Sequence, residues 1–468
     1  MTEAESQFSV LRRTADPIVV AAMEAVIANG LDRELNRINP LAFATKRQLD
    51  VEKVIAAFLH ASRLGIFEMQ WNVLCPGCGG VLGANNSLKT VHQDIYNCAL
   101  CAAGYEPSLD EMVDVTFTIS PRVRRIAAHD PNTISPVEYW RQIFWGSGSD
   151  LPDDMEAQLD VFTLEFLELG PGDKAVVSTQ IPVGNVVVFE PVTHAAHFLS
   201  VKGEPTRERQ NISIVYNKLS APTGAVDMRP GPLRIAFDNQ TEARTLPSVW
   251  VYDEKLAGVL GRRRPFLTAK RILSNQTFRD LYRADALEID QRLRILSLTF
   301  LFTDLKGSTE LYERVGDLSA YDLVRSHFHV LHEIVAAESG AVVKTIGDAV
   351  MATFVTPDRA VAAALRMRKG MERLNDERGH EDLLLKIGIH EGPCLAVSLN
   401  DRQDYFGQTV NIASRVQNLA VDRSIFATEP VVENADSAAL LAKAGLVPVA
   451  QQVALKGITD RVKIYEIP

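Results

Sequence analysis

The chain has no long apolar run. Although 46% of its 468 residues are hydrophobic, no window reaches the roughly eighteen uninterrupted apolar residues that read as a membrane span. The best candidate, PIVVAAMEAVIA from Pro17, is broken by Glu24. Positive charge is also short: 49 Lys and Arg face 59 Asp and Glu, a formal net charge of -10. That balance argues against coating nucleic acid or an anionic membrane surface. The start, MTEAESQF, lacks the basic-then-apolar layout of a secretory signal. Repeats and low-complexity tracts are absent. The expectation is a soluble, cytoplasmic protein with no membrane or nucleic-acid partner, long enough to bury two or three cores.

Cysteine is scarce, with five in the chain, but four of them fall in two CxxC pairs. CPGC supplies Cys75 and Cys78, and CALC supplies Cys98 and Cys101. Two such knuckles predict a zinc ribbon, with four thiolates closing a tetrahedral site around one structural Zn²⁺ per chain. A closed site leaves no position for chemistry, so its expected role is to hold the fold. Ribbons occur in nucleic-acid-binding modules, but this segment lacks the dense basic patch such use needs. The fifth cysteine, Cys394, has no partner motif and reads as a packed thiol.

Pattern shifts divide the chain. Residues 1–70 read as helical, with runs such as DPIVVAAMEAVIANGL and DVEKVIAAFLHASRLGIF, the latter stopped near Gly65. The ribbon occupies 71–120. Across 150–260 the period becomes two, in KAVVSTQIPVGNVVVFEP, NISIVYN and GPLRIAFDN, which predicts a β-rich, sandwich-like domain with a regulatory role. His194 and His197 are expected to be ordinary residues of that domain. From 266 to 296 a stripe of Phe278, Tyr282, Ala286, Ile289, Leu293 and Leu296 at steps of three and four predicts a helical linker. The segment 297–468 alternates strand and helix patterns. The whole is an α+β multidomain chain.

The chemistry concentrates in that last segment. LTFLFTDLKGSTE carries an apolar strand to a single acid, Asp304, ahead of a Gly-Ser-Thr turn. Some forty residues on, AVVKTIGDAVMATF reads as a hairpin with Asp348 at its tip. If the hairpin lies beside the strand, the two carboxylates converge as hard oxygen ligands for Mg²⁺ or Mn²⁺ carried in with a substrate's phosphates. Singly, Asp304 could cap a helix and Asp348 could serve a turn.

With KIGIHEGPC and DYFGQTVNIASRV added, residues Leu298 to Ile467 resemble the catalytic domain of the class III adenylate and guanylate cyclases. The resemblance implies a ferredoxin-like α/β domain working as a head-to-tail homodimer, with ATP or GTP held at the interface. It implies two Mg²⁺ or Mn²⁺ ions per active site on Asp304, Asp348 and the backbone of Leu305. Lys344 and Asp404 match the positions that read the base. Asn411 and Arg415 match the pair that orients the ribose and stabilises the transition state. Lys456 matches a triphosphate-binding lysine. A Lys donor suits adenine's ring nitrogen and an Asp acceptor its amino group, so the pair implies ATP, cyclic AMP as product and adenylate cyclase activity. Two readings stay open: a guanylate cyclase, and a catalytically inactive homologue or zinc-ribbon adaptor acting through protein contacts.

The match has departures. The strand after GIHEGP reads CLAVSLNDRQ where the family carries glycines, and Arg402 is the one candidate there for a phosphate-binding arginine. His327, His329 and His332 look like a metal cluster, but a partly exposed helix face is the expected reading. The N-terminal half, including AFLHASRLGIFEMQWNVLCPGC, resembles an uncharacterised domain fused to bacterial cyclases.

Overall fold

Side-chain caps set the N-terminal helices. Asp16 accepts from the amides of Ile18 and Val19 at the start of Pro17–Asn29. Asn39 does the same for Pro40–Arg47, and Asp50 for Val51–Arg63. Beyond Gly65 the chain enters the strand Phe67–Leu74, which pairs with Val81–Asn85 and Val113–Ile119. Phe58 ties helix to sheet, its ring about 5 Å from those of Phe43, Phe67 and Phe117.

The computed structural model describes residues 3–91, 94–217, 224–282, 287–288, 291–307, 313–314, 316–399, 402–420 and 424–468. It divides into two compact units, Met1–Pro107 with Glu111–Leu267, and Ser108–Asp110 with Thr268–Pro468. The helical, cysteine-bearing and β-rich stretches therefore share one unit. Its β-rich part has a five-stranded and a three-stranded sheet, which bury Val186, Val188, Leu199, Ile214, Ile235 and Phe237 in a common core. No helix among the described residues is long and apolar enough to cross a membrane.

The expected helical linker is corrected. Phe278 lies in a short helix, Gln276–Leu281, which Asn275 caps and which ends before Tyr282. Leu293 and Leu296 belong to a strand, Leu293–Leu305. Ala286 and Ile289 lie outside the described residues. The stretch LRILS fits a helix step of three, but it also alternates: Leu293 and Ile295 are buried, and Arg294 and Leu296 exposed. Pairing of Leu293, Arg294 and Ile295 with the strand Leu385–Leu399 selected the period of two.

In the second unit the strands are β1 (Leu293–Leu305), β2 (Ala341–Ile346), β3 (Ala349–Phe354), β4 (Leu385–Leu399) and β5 (Arg402–Phe406). β6 (Ile425–Thr428), β7 (Val449–Val453) and β8 (Val462–Ile467) follow. The main helices are α1 (Asp317–Ala337), α2 (Pro357–Arg378) and α3 (Gln408–Leu419). The sheet runs β2-β3-β1-β4-β6-β8-β7, with β5 on β4. Chain order β1-α1-β2-β3-α2-β4 with this sheet order is the split βαβ arrangement of ferredoxin-like domains. Leu331, Val335, Ala364 and Met367 of α1 and α2 pack with Leu301, Ile387 and Ile389 on one face. Val416 of α3 packs with Phe426 and Ile464 on the other. Gly388 makes that second layer possible: a Cβ there would lie 2.2 Å from the backbone nitrogen of Gln417, so any side chain would push α3 off β4.

Candidate active site

Asp304 is placed by register. β1 lies between β3 and β4, with Thr303 opposite Val350 and Asp304 opposite Lys386. Leu301 and Leu305 point into the core under α1 and α2, so alternation sends Asp304 to the α3 face. Asp348 follows Gly347, whose φ of 63° closes the β2–β3 turn. The structure brings the acids together: the Leu305 amide donates to Asp348 Oδ2 at 3.3 Å. Burial, and then the charge of Asp348, push the Asp304 carboxyl above the usual aspartate value, with Lys386 opposing them. A carboxyl whose cost of ionising is raised by burial and a neighbouring carboxylate fits a divalent cation, whose charge removes that cost. Ser308, Thr309 and Glu310 lie outside the described residues.

The second pair is formed directly. Lys344 Nζ donates to Asp404 Oδ2, a close ion pair between β2 and β5. Asp404 is buried, its Oδ1 accepting from the Tyr405 amide at 2.8 Å, while Lys344 remains open to solvent. Sequence reasoning missed what steadies them. One guanidinium nitrogen of Arg279 donates to the Val343 carbonyl at 3.2 Å and to the Gln403 carbonyl at 2.9 Å. It thereby ties together the residues preceding Lys344 and Asp404. No spacing signal announces Arg279, because its partners are backbone atoms of distant strands. Arg402 lies at the start of β5, exposed, and lines a cavity of about 240 Å³ with Arg279 and His332.

Asn411 and Arg415 leave one face of α3, four residues apart. The Arg415 guanidinium comes within 3.4 Å of where Gly457 would carry a Cβ, beside the exposed Lys456. Gln417, about 200° around the helix from Arg415, lies on the Asp304 side. Asp304 therefore lies on the side of α3 away from Arg415.

The histidines separate. His329 and His332 are exposed, but His327 is fully buried with neither ring nitrogen partnered, and burial pulls it down to about 4. The expected exposed face is thus corrected for His327; a step of two on a helix turns a side chain about 200°, so these three cannot converge. Burial pushes the packed Cys394 thiol up to about 12. His194 sits in a turn at φ 57°, packed against Phe144 and Phe189, and His197 lies in the strand Ala195–Val201.

The four other cysteines gather in the first unit. Their sulfurs all lie within 4.8 Å of one another, with Cys75–Cys101 and Cys78–Cys98 each at 3.6 Å. The amides of Cys78 and Gly80 donate to the sulfurs of Cys75 and Cys78 at 3.5 and 3.4 Å. A tetrahedron with Zn–S arms of about 2.3 Å has sulfur–sulfur edges of roughly 3.8 Å. The donor set and its spacing fit zinc.

Residues 292–467 match the adenylate and guanylate cyclase catalytic domain. This segment is a class III adenylate/guanylate cyclase catalytic domain. Residues 1–280, more than half the chain, match a family of unknown function (DUF5939), and the chain belongs to that family. An adenylate cyclase of Anabaena cylindrica is 29% identical over 185 residues, 36% of this chain and 36% of the relative. Adenylate cyclase 2 of Rhizobium meliloti is 33% identical over 132 residues, 26% of this chain and 36% of that one. The chain spans no more than 36% of the length of these relatives. Among solved structures, the adenylyl cyclase CyaB of P. aeruginosa is 25% identical with a TM-score of 0.34, covering 38% of this chain and 96% of that one. The guanylyl cyclase Cya2 is 21% identical with a TM-score of 0.33, covering 38% and 92%.

Proposed function

We propose that the cyclase domain converts ATP to 3′,5′-cyclic AMP and pyrophosphate. The observation that carries this reading is the meeting of Asp304 and Asp348 at the end of β1, in a domain that also pairs Lys344 with Asp404. Asp304, Asp348 and the Leu305 backbone would hold two Mg²⁺ or Mn²⁺ ions, which when bound neutralise phosphate charge and activate the attacking oxygen. The chain's own residues do the rest. Lys344 donates to the adenine ring nitrogen and Asp404 accepts from the amino group. Asn411 orients the ribose so that its 3′-oxygen forms a bond to the α-phosphorus as the bond to pyrophosphate breaks. Arg415 offers a planar fork to the charge growing on the phosphate oxygens, and Lys456 holds the triphosphate as a point charge. The first unit acts as a regulatory half, held by one structural zinc on Cys75, Cys78, Cys98 and Cys101.

A head-to-tail homodimer completes the site. Asp304 lies beside Gln417, on the side of α3 away from Arg415, so the acids of one copy serve the Lys344, Asp404, Asn411 and Arg415 of another. The two-fold axis creates two equivalent sites. Mixing tests this. Asp304→Ala and Arg415→Ala homodimers should each be nearly inactive, while random exchange makes half the dimers mixed, each with one intact site. Activity should return to roughly a quarter of wild type, read as cyclic nucleotide with ATP and GTP side by side. No recovery after demonstrated subunit exchange places the site within one chain, and faster turnover of GTP overturns the assignment to ATP.

A further inference from the structure

Lys344 and Asp404 stand on strands that share no ladder. Among the described residues β2 pairs with β3 and β5 with β4, and β1 lies between β3 and β4. The sheet alone therefore does not fix how Lys344 is aimed at Asp404.

The chain just before Lys344 is irregular. Val342 faces Ala352 and Lys344 faces Met351, so Val343 faces no residue of β3. A bulge of this kind disrupts the ladder locally and re-aims the side chain that follows it. The short helix Gln276–Leu281 supplies partners at that point. Gln276 Oε1 accepts from the Val342 amide at 2.8 Å, and Arg279 donates to the Val343 carbonyl at 3.2 Å. The same nitrogen of Arg279 crosses to β5, where it donates to the Gln403 carbonyl at 2.9 Å.

Asp404 is held through both of its chain neighbours. Gln403 and Tyr405 are buried, and alternation turns them to the face of β5 opposite Asp404. Tyr405 Oη donates to the Leu273 carbonyl at 3.3 Å, and Gln403 Nε2 donates to Tyr405 Oη at 2.9 Å. The helix that carries Arg279 is itself anchored. Phe278 is 2% exposed and stacks on Tyr282, with ring centroids 5.1 Å apart, and Gln276 Nε2 donates to Asp280 Oδ1 at 3.0 Å.

These contacts come from outside the cyclase match. Residues 292–467 match the catalytic domain, whereas Leu273, Gln276 and Arg279 fall within residues 1–280, which match the family of unknown function. By compactness they belong with the catalytic strands, in the unit that resumes at Thr268.

We propose that Arg279 and Gln276 are positioning residues that set the aim of Lys344 against Asp404 and thereby the choice of purine, a role that rests on the reading of that pair as the groups that read the base. Two polar groups reject the wrong base only while both keep their places; a loosened pair adapts to either purine. The specificity of the catalytic domain is thus completed by the last residues of the preceding family.

The test assays the full-length protein with ATP and GTP, each for kcat and KM. Arg279→Gln should raise the KM for ATP about tenfold and lower the ATP-over-GTP ratio of kcat/KM about tenfold. Its kcat should stay within about threefold, because contacts to the base are made alike in the ground and transition states. Gln276→Met keeps the length and removes the acceptor, and should lower the ratio about threefold. It decides if Arg279→Gln fails to fold by circular dichroism. In a reference lacking both groups, Lys344→Ala with Asp404→Ala, adding Arg279→Gln should move the ratio less than about twofold. A wild-type ratio in that reference would end the reading of the pair, and the positioning role with it. If the reference loses the ratio while Arg279→Gln keeps it, or if Arg279→Gln shifts it equally in both backgrounds, the positioning role falls and the reading of the pair stands.

Discussion

Asp304 and Asp348 meet where a strand end and a hairpin turn come together, partly open to solvent, and their negative charges oppose one another. Cys75, Cys78, Cys98 and Cys101 instead close on a common centre, two of them buried outright, with backbone amides already turned to the sulfurs. One cluster stays open, with a repulsion built in; the other encloses four soft donors within 4.8 Å of one another. Openness and built-in repulsion mark a place for reaction, whereas closure and softness of the donors mark a place for folding.

The largest effect should come from the open cluster. Asp348→Ala is expected to lower turnover at least about a thousandfold, with zinc content by elemental analysis unchanged. A variant that loses zinc as well as turnover would erase the contrast. The reverse holds for the closed cluster: Cys98→Ser should release the metal and destabilise the first unit by several kcal/mol, a fall in Tm of roughly 10 °C. A chelator should reproduce that shift in wild type and add nothing to the variant.

Acid should act on the catalytic unit through two buried histidines. His327 and His390 are pulled down to about 4 by burial. Between pH 6.5 and 4 the unfolded chain binds their protons and the folded unit does not, so stability falls as pH drops through that window and is level above it. Each histidine should contribute about 3 kcal/mol of loss by pH 4. His327→Met should remove about half of that slope in denaturant titrations; an unchanged slope would show that His327 protonates freely in the fold.

The smallest effect sharpens the comparison most. Asp304 has its folded value raised, so its contribution to stability is present at low pH and lost as pH rises through that value. With the charge removed, Asp304→Asn should melt slightly higher than wild type at neutral pH without divalent ions, by on the order of 1 °C. The gain should vanish at pH 3, and Mg²⁺ should stabilise wild type but not the variant. A lower Tm for the variant at neutral pH would mean that the pair carries no repulsion.

Features set by neighbours in the chain could be read directly. An apolar run ended by Asp304, and a Gly347-Asp348 dipeptide between two strands, each state their geometry locally, as do paired CxxC turns. LRILS satisfies two periods at once, and only its partner strand β4, far along the chain, decides between them. Arg279 was invisible for a related reason. Arg279 acts on backbone carbonyls of Val343 and Gln403, which neighbours in the chain do not announce. His327 is a milder case: helical phase alone turns it away from His329, but whether it faces core or solvent depends on what the helix packs against.

The direct pairing of Lys344 with Asp404 has a kinetic corollary for the proposed reaction. The two groups proposed to read the base satisfy one another, so an arriving adenine would have to compete with an existing ion pair. Only a purine that offers an acceptor to Lys344 and a donor to Asp404 together returns what it displaces. A base offering one of the two leaves a charge stranded against the buried side of β5. Opening the pair therefore weakens the apparent affinity for the proposed nucleotide, so half-occupancy calls for a higher concentration than an unpaired site would need.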